Sequence, residues 1–271
     1  MDNKFDVIII GAGASGLAAA PTWTADPADL TGASFGWSVA GAGDVNGDGF
    51  ADVIVGAYAA NGDLANEGRA YLFYGLGTGL GATPAASLDP TDQPGARFGY
   101  SVAGAGDVNG DGFADVIAGA YWWDGAVADV GRAYVYLGRA SPAPSTPAWA
   151  VTPTAAGTSW FGFSVSGAGD VNGDGFADVA VGAPASTGGL AGEGRASVYH
   201  GSSAGLAISP AWTAEPSDQA NAQFGYAVSR AGDVNRDGFD DLLVGANLWG
   251  DGTVGSLDEG RAYLYPGGTA G

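Results

Sequence analysis

Asp44-Val45-Asn46-Gly47-Asp48-Gly49-Phe50-Ala51-Asp52 decides the reading of this chain, because it returns almost unchanged at Asp107, Asp170 and Asp233. Each copy begins 63 residues after the one before. A period this strict marks tandem copies of one supersecondary unit rather than independently built domains.

The same period extends outward from the nonapeptide. Before it stands Phe35-Gly36-Trp37-Ser38-Val39, repeated at Phe98 to Val102, Phe161 to Val165 and Phe224 to Val228, with bulky residues at alternate positions. That alternation predicts a strand with one buried face. After it comes Asp52-Val53-Ile54-Val55-Gly56-Ala57, a nearly unbroken apolar run suited to a buried central strand. A third strand is expected at Gly68-Arg69-Ala70-Tyr71-Leu72-Phe73, echoed at Arg132, Arg195 and Arg261.

A fourth, short and edge-like strand is marked by prolines. Pro21, Pro84, Pro147 and Pro210 are in register, followed by Trp23, Ala86, Trp149 and Trp212, then by Pro27, Pro90, Pro153 and Pro216. Four short strands per period and no helix predict an all-β chain, a β-propeller with four four-stranded blades over residues 21–271. Such a unit cannot bury both faces of its sheet alone, so blades must stack. The chain starts on an outer strand at Trp23 and ends just after a third strand, so the N-terminal strand is expected to complete the last blade. A monomer is the simplest outcome, and a dimer pooling eight blades is the other.

The nonapeptide also has a chemistry. Asp44, Asn46 and Asp48 occupy loop positions 1, 3 and 5, Phe50 offers a backbone carbonyl at 7, and Asp52 closes at 9. The corresponding sets are Asp107, Asn109, Asp111, Phe113 and Asp115; Asp170, Asn172, Asp174, Phe176 and Asp178; and Asp233, Asn235, Asp237, Phe239 and Asp241. Alternate oxygen-bearing residues around a glycine turn are the spacing of calcium loops, and hard oxygen donors favour calcium over zinc. An EF-hand is excluded, because Val55, Ala118, Val181 and Val244 stand where its bidentate glutamate belongs. The plainer alternative is that Asp and Asn merely shape Asx-turns. A turn needs one or two such side chains, whereas all four copies keep four, which favours one Ca²⁺ per repeat and four per chain. The fourth copy differs at Arg236 and Asp240, neither of them a ligand position.

Charge points the same way. The formal net charge is -20, from 29 acidic and 9 basic side chains, which disfavours nucleic acid or an anionic membrane as partner. Three aspartates in each of four loops supply twelve of those acids, a concentration that a cation would relieve. The chain has no cysteine, hence no disulfide, thiolate nucleophile or Cys-based metal site. No apolar run reaches the roughly 20 residues of a membrane helix, so no membrane insertion is expected. The 50 glycines recur at fixed repeat positions, as turns and close strand packing require.

Residues 1–20 stand apart. Val7 to Ile10 followed by Gly11-x-Gly13-x-x-Gly16 resembles the strand-turn-helix opening of FAD- or NAD-binding Rossmann proteins. The likeness stops where Pro21 and Trp23 begin the repeat, leaving no room for a βαβ unit. A flavin- or NAD-dependent oxidoreductase is therefore the weakest reading. An extra strand, a weak secretory segment or a fusion remnant compete for this leader, and the uniform copies with a mismatched leader also fit an engineered origin.

Together, Phe-Gly-x-Ser-Val, Gly-Ala-Gly-Asp-Val-Asn-Gly-Asp-Gly-Phe-Ala-Asp and Val-Gly-Ala resemble FG-GAP repeats, the units of the integrin α-subunit β-propeller head and of many bacterial surface and secreted proteins. The resemblance spans residues 21 to about 268. It implies a calcium-stabilised propeller that binds or adheres without catalysis, at the cell surface or outside the cell. Integrin heads have seven blades with calcium in only some, whereas here all four units carry the loop.

The remaining candidates are less specific. His200 stands at a strand position, and no catalytic triad recurs with the repeat. Arg69, Arg132, Arg195 and Arg261 are expected to pair with carboxylates. The copies differ most at Tyr58 to Glu67, Tyr121 to Val130, Pro184 to Glu193 and Asn247 to Glu259, where Trp122, Trp123 and Trp249 fall. Aromatics on such a rim suit a protein or carbohydrate ligand, the latter making the protein a lectin, although packing between blades is the favoured reading for any one of them.

Overall fold

The computed structural model describes residues 22–25, 32–90, 93–154, 157–216, 219–250 and 259–269. The leader, with its Gly11-x-Gly13-x-x-Gly16 motif, lies outside the described residues. Three antiparallel four-stranded sheets follow one another, and each is built as the repeat predicts. The first blade runs Ser38–Gly43, Asp52–Ala57, Arg69–Phe73 and Ala86–Leu88. The second comprises Phe98–Gly106, Asp115–Ala120, Arg132–Tyr136 and Trp149–Val151, and the third Ser164–Gly169, Asp178–Ala183, Arg195–Tyr199 and Trp212–Ala214. The fourth sheet has three strands, Phe224–Gly232, Asp241–Ala246 and Arg261–Tyr265.

Each blade's outer strand comes from the start of the next repeat, as the proline phasing implies. Ala70, Tyr71 and Leu72 pair with Leu88, Ser87 and Ala86. The expected closing strand is not formed among the described residues, where Trp23 to Ala25 are coil. Trp23 packs instead on the first blade: its ring lies 5.0 Å from that of Phe73, and Nε1 donates to the Gly81 carbonyl at 3.0 Å. Trp149 does the same two blades on, 5.0 Å from Tyr199 and donating to Ala207 at 2.9 Å. An outer-strand tryptophan thus belongs to one sheet and leans on the next.

The second strands, Asp52–Ala57, Asp115–Ala120 and Asp178–Ala183, are buried along their whole length. Their two faces feed different interfaces, because side chains alternate across a strand. Ile54 and Leu72 of the first blade join Val116, Ala118, Tyr134 and Tyr136 of the second in one apolar cluster around Phe98. Phe161 and Phe224 centre the next two clusters in the same way. Each of these phenylalanines also bridges its backbone to the preceding blade, at Gly68, Gly131 and Gly194 respectively. Fully burying a phenylalanine contributes on the order of 2–3 kcal/mol, so three such plugs account for much of the cohesion between blades.

Glycine governs how closely blades approach. A Cβ on Gly56 would lie 1.9 Å from the Gly99 carbonyl oxygen, and Gly119 and Gly182 stand equally close to Gly162 and Gly225. The glycine of Val-Gly-Ala is therefore a contact point between sheets.

Candidate calcium loops and the aromatic end

Each nonapeptide is the hairpin loop between a blade's first and second strands. Gly47 and Gly49 take φ of 75° and 88°, values that side chains rarely tolerate, and they let the chain curl around Asp44. Asp44 Oδ1 accepts the amides of Gly47 at 2.7 Å and Asp48 at 3.0 Å, while Oδ2 accepts Gly49 at 2.8 Å. Asn46 and Asp48 converge, with Asn46 Nδ2 donating to Asp48 Oδ2 at 2.9 Å. The contact recurs at 2.8, 2.9 and 2.7 Å in the other three loops.

The position-9 aspartates sit apart from this exposed rim. Asp52, Asp115, Asp178 and Asp241 are fully buried. Asp52 Oδ2 accepts Val45 N at 2.8 Å and Oδ1 accepts Gly75 N at 2.7 Å, and the other three make equivalent pairs. Each staples its loop to the chain leaving the third strand. Burial pushes the Asp115 carboxyl up to about 7, against the pull of the Gly138 and Val108 amides, and the Asp111 and Asp107 charges push the same way. Asp178 is raised to about 6 by burial, with the amides of Gly201 and Val171 and the neighbouring His200 pulling it down. Three carboxyl groups of one loop thus feel one another electrostatically.

Position 7 has a second role. The ring of Phe113 covers Gly47 of the preceding loop so closely that a Cβ there would be 2.5 Å from it, and Phe176 and Phe239 cover Gly110 and Gly173. Backbone bonds reinforce the seam: Ala114 N donates to Asp44 O at 2.9 Å and Arg139 N to Val45 O at 2.8 Å. The loops are consequently joints between blades as well as hairpins.

The donor set offers hard oxygens, an aspartate at position 1 that is half-buried in the first three loops, an exposed aspartate at position 5, an asparagine and a backbone carbonyl, which is the kind calcium takes. Among the described residues no group of three or more His, Cys, Asp or Glu side chains is drawn together as a metal cluster. The carboxylates face their own loop amides instead.

The opposite end of the sheets is aromatic, a feature that the spacing of the acidic loops does not reveal. Trp37, Tyr100, Phe163 and Tyr226, the variable residue of each Phe-Gly-x-Ser-Val, form a continuous row with ring centroids 5.5, 5.1 and 4.9 Å apart. Tyr58 and Tyr121 extend it. The variable loops leave the second strands at this end, about 20 Å from the acidic loops at ~3.3 Å per strand residue.

The recurrent arginines divide into two kinds. Arg69 reaches Asp89 at 3.2 Å and Arg195 reaches Glu215 at 3.1 Å, the expected carboxylate pairs. Arg132 and Arg261 instead lie over Trp123 and Trp249, at 4.7 and 3.3 Å from the ring centres. Those tryptophans occupy the position held by Ala60 and Ser186 in the other copies, so the indole replaces the acid as partner. Trp122 is covered by Arg97 at 4.2 Å.

Tandem blades of this construction define a repeat protein, and the FG-GAP repeat family matches residues 35–73, 98–136, 161–199 and 224–265. The chain belongs to that family. It is 38% identical to integrin alpha-7 of Mus musculus over 154 residues, 55% of this chain and 12% of that protein. It is 37% identical to mouse integrin alpha-IIb over 161 residues, 57% of this chain and 15% of that protein. Against integrin alpha-5 of Xenopus laevis it is 35% identical over 222 residues, 78% of this chain but 20% of that protein. The chain thus spans no more than about a fifth of these relatives.

Proposed function

We propose that this FG-GAP protein is a non-catalytic binding or adhesion module held in shape by calcium, working at the cell surface or outside the cell. The observation that carries the reading is the fourfold recurrence of one acidic loop, in which the position-5 and position-6 amides bond the position-1 aspartate in every copy, the position-4 amide joining them in the first three. In each, the position-1, -3 and -5 side chains, the position-7 carbonyl and the buried position-9 aspartate are the groups that would hold the ion. In the first loop these are Asp44, Asn46, Asp48, Phe50 and Asp52. Bound calcium would neutralise carboxylates that otherwise repel one another, and would stiffen the loop that joins two blades. Ligand recognition is assigned to the opposite, aromatic end with its variable loops, so the metal shapes the scaffold without touching the ligand.

A protein ligand is the first reading, supported by integrin α-subunits being the relatives. A carbohydrate ligand is the second, supported by the row from Trp37 to Tyr226, whose end members are exposed. Trp123 and Trp249 are poorer candidates for that role, because arginines already cover them.

Thermal unfolding with calcium and then with excess EDTA tests the metal claim. An ion that binds only the folded chain must raise Tm. Identical melting in both buffers would remove calcium from the account.

A further inference from the structure

Every blade has a leading face, which meets the blade before it, and a trailing face, which meets the blade after. Among the described residues three of each are paired, and the leading face of the first blade and the trailing face of the fourth are open. On the trailing face of the fourth blade, Leu243 and Leu264 are 40% and 45% exposed. Their counterparts Ile54, Ile117 and Ala180, and Leu72, Val135 and Val198, are no more than 3% exposed. Val234 is 56% exposed where Val45 and Val108 are at most 1%. The leading face of the first blade mirrors this: Val39 is 47% exposed, whereas Val102, Val165 and Val228 lie between 5% and 9%.

Gly245 supplies a second observation. Its counterparts Gly56, Gly119 and Gly182 have no room for a Cβ because the next blade's carbonyl oxygen would be 1.9 Å away. Gly245 keeps the glycine, yet the nearest atom to its Cβ position is 3.7 Å away. Its φ is not in the left-handed region, so the backbone itself does not require glycine. The socket for an incoming blade is present without the blade. The matching plug, Phe35-Gly36, stands at the other end of the chain, together with Trp23 to Ala25, which correspond to an outer strand.

We propose that a second copy of this chain seats its first blade on the trailing face of the fourth, head to tail. Trp23 to Ala25 of the incoming copy then pair with Arg261–Tyr265 as a fourth strand, in the register of Leu72↔Ala86 and Ala70↔Leu88. Two copies doing this reciprocally make one ring with four blades from each. Such a heterologous contact closes or grows according to its rotation, and each copy carries one half of each joint. The chain's own first blade does not fill the socket: among the described residues, contacts run from the first blade to the second, the second to the third and the third to the fourth, with no comparable contact between the first and fourth. Arg236 is the one departure, standing where Gly47, Gly110 and Gly173 receive a phenylalanine ring. The ring that would arrive, Phe50, is exposed, which lets Arg236 lie against its face. The inference needs neither the calcium nor the ligand reading.

Sedimentation of the full chain across a dilution series, in salt near physiological strength so that the -20 charge of each copy is screened, gives the first readout. The expected mass is twice 26.6 kDa. A monomer at every concentration would overturn the proposal. Gly245→Val fills the socket while its Cβ meets its own chain only at ordinary contact distance, 3.7 Å from Ala227, so it is expected to sediment as a folded monomer, and a persistent dimer would contradict the assigned face. Ala25→Cys with Ala262→Cys identifies the joint in a chain that has no other cysteine. A disulfide between two chains supports the proposal, whereas a disulfide within one chain, or none, rejects it.

Discussion

The Asp115 carboxylate accepts the backbone amide of Gly138 at 2.8 Å, and its other oxygen accepts Val108 N at the same distance. One buried side chain thus ties a loop to the strand exit 23 residues away. Asp115→Ala leaves two buried amides without acceptors, each worth about 1–3 kcal/mol, so a loss of about 2–5 kcal/mol is expected in urea unfolding. Asp115→Asn keeps one acceptor oxygen and is expected to lose about half as much. Equal stabilities for wild type and alanine variant would show that the staple carries no load.

Two of the second-strand glycines, Gly119 inside the stack and Gly245 in the fourth blade, are expected to differ sharply. Gly119→Ala places a Cβ 1.9 Å from the Gly162 oxygen, which forces two sheets apart and should cost about 3 kcal/mol or more. Gly245→Ala meets nothing closer than 3.7 Å and, measured on the monomer at high dilution, should stay within about 0.5 kcal/mol of wild type. Similar losses at both would contradict the account of why glycine is retained inside the stack.

The split among the recurrent arginines gives a third expectation. A double-mutant cycle on Arg132 and Trp123 should show coupling of about 1 kcal/mol, as a partly desolvated cation–π pair does. The same cycle on Arg69 and Asp89 should give less than about 0.5 kcal/mol in physiological salt, because that ion pair is open to solvent. Reversed magnitudes would mean that the tryptophans at this position do not anchor the arginine.

Much of the fold was legible because the repeat states each strand four times. Asp52 to Ala57 reads as a buried strand by its apolar run alone, and the proline phasing assigns Ala86 to Leu88 to the sheet of the preceding repeat. What remained hidden depends on contacts between repeats. Nothing within one copy tells that Phe113 covers the preceding Gly47, or that Trp37, Tyr100, Phe163 and Tyr226 touch in a row, although an aromatic residue in all four positions was a visible hint. The acidic loop was legible as a donor set, but the burial of Asp52 and its grip on the Val45 and Gly75 amides follow from the sheet edge beneath it. Pairing of Arg132 with Trp123 was hidden because its acid counterpart at position 152 is threonine, so the expected partner was absent.

Native mass spectrometry of the calcium-loaded chain, followed by EDTA, tests the central claim most directly because it counts ions per chain. The account expects four calcium ions, all removed by EDTA, and three when Asp107 and Asp111 are both changed to Ala. A chain that carries no calcium at saturating concentration, or that keeps four after that double change, would contradict it.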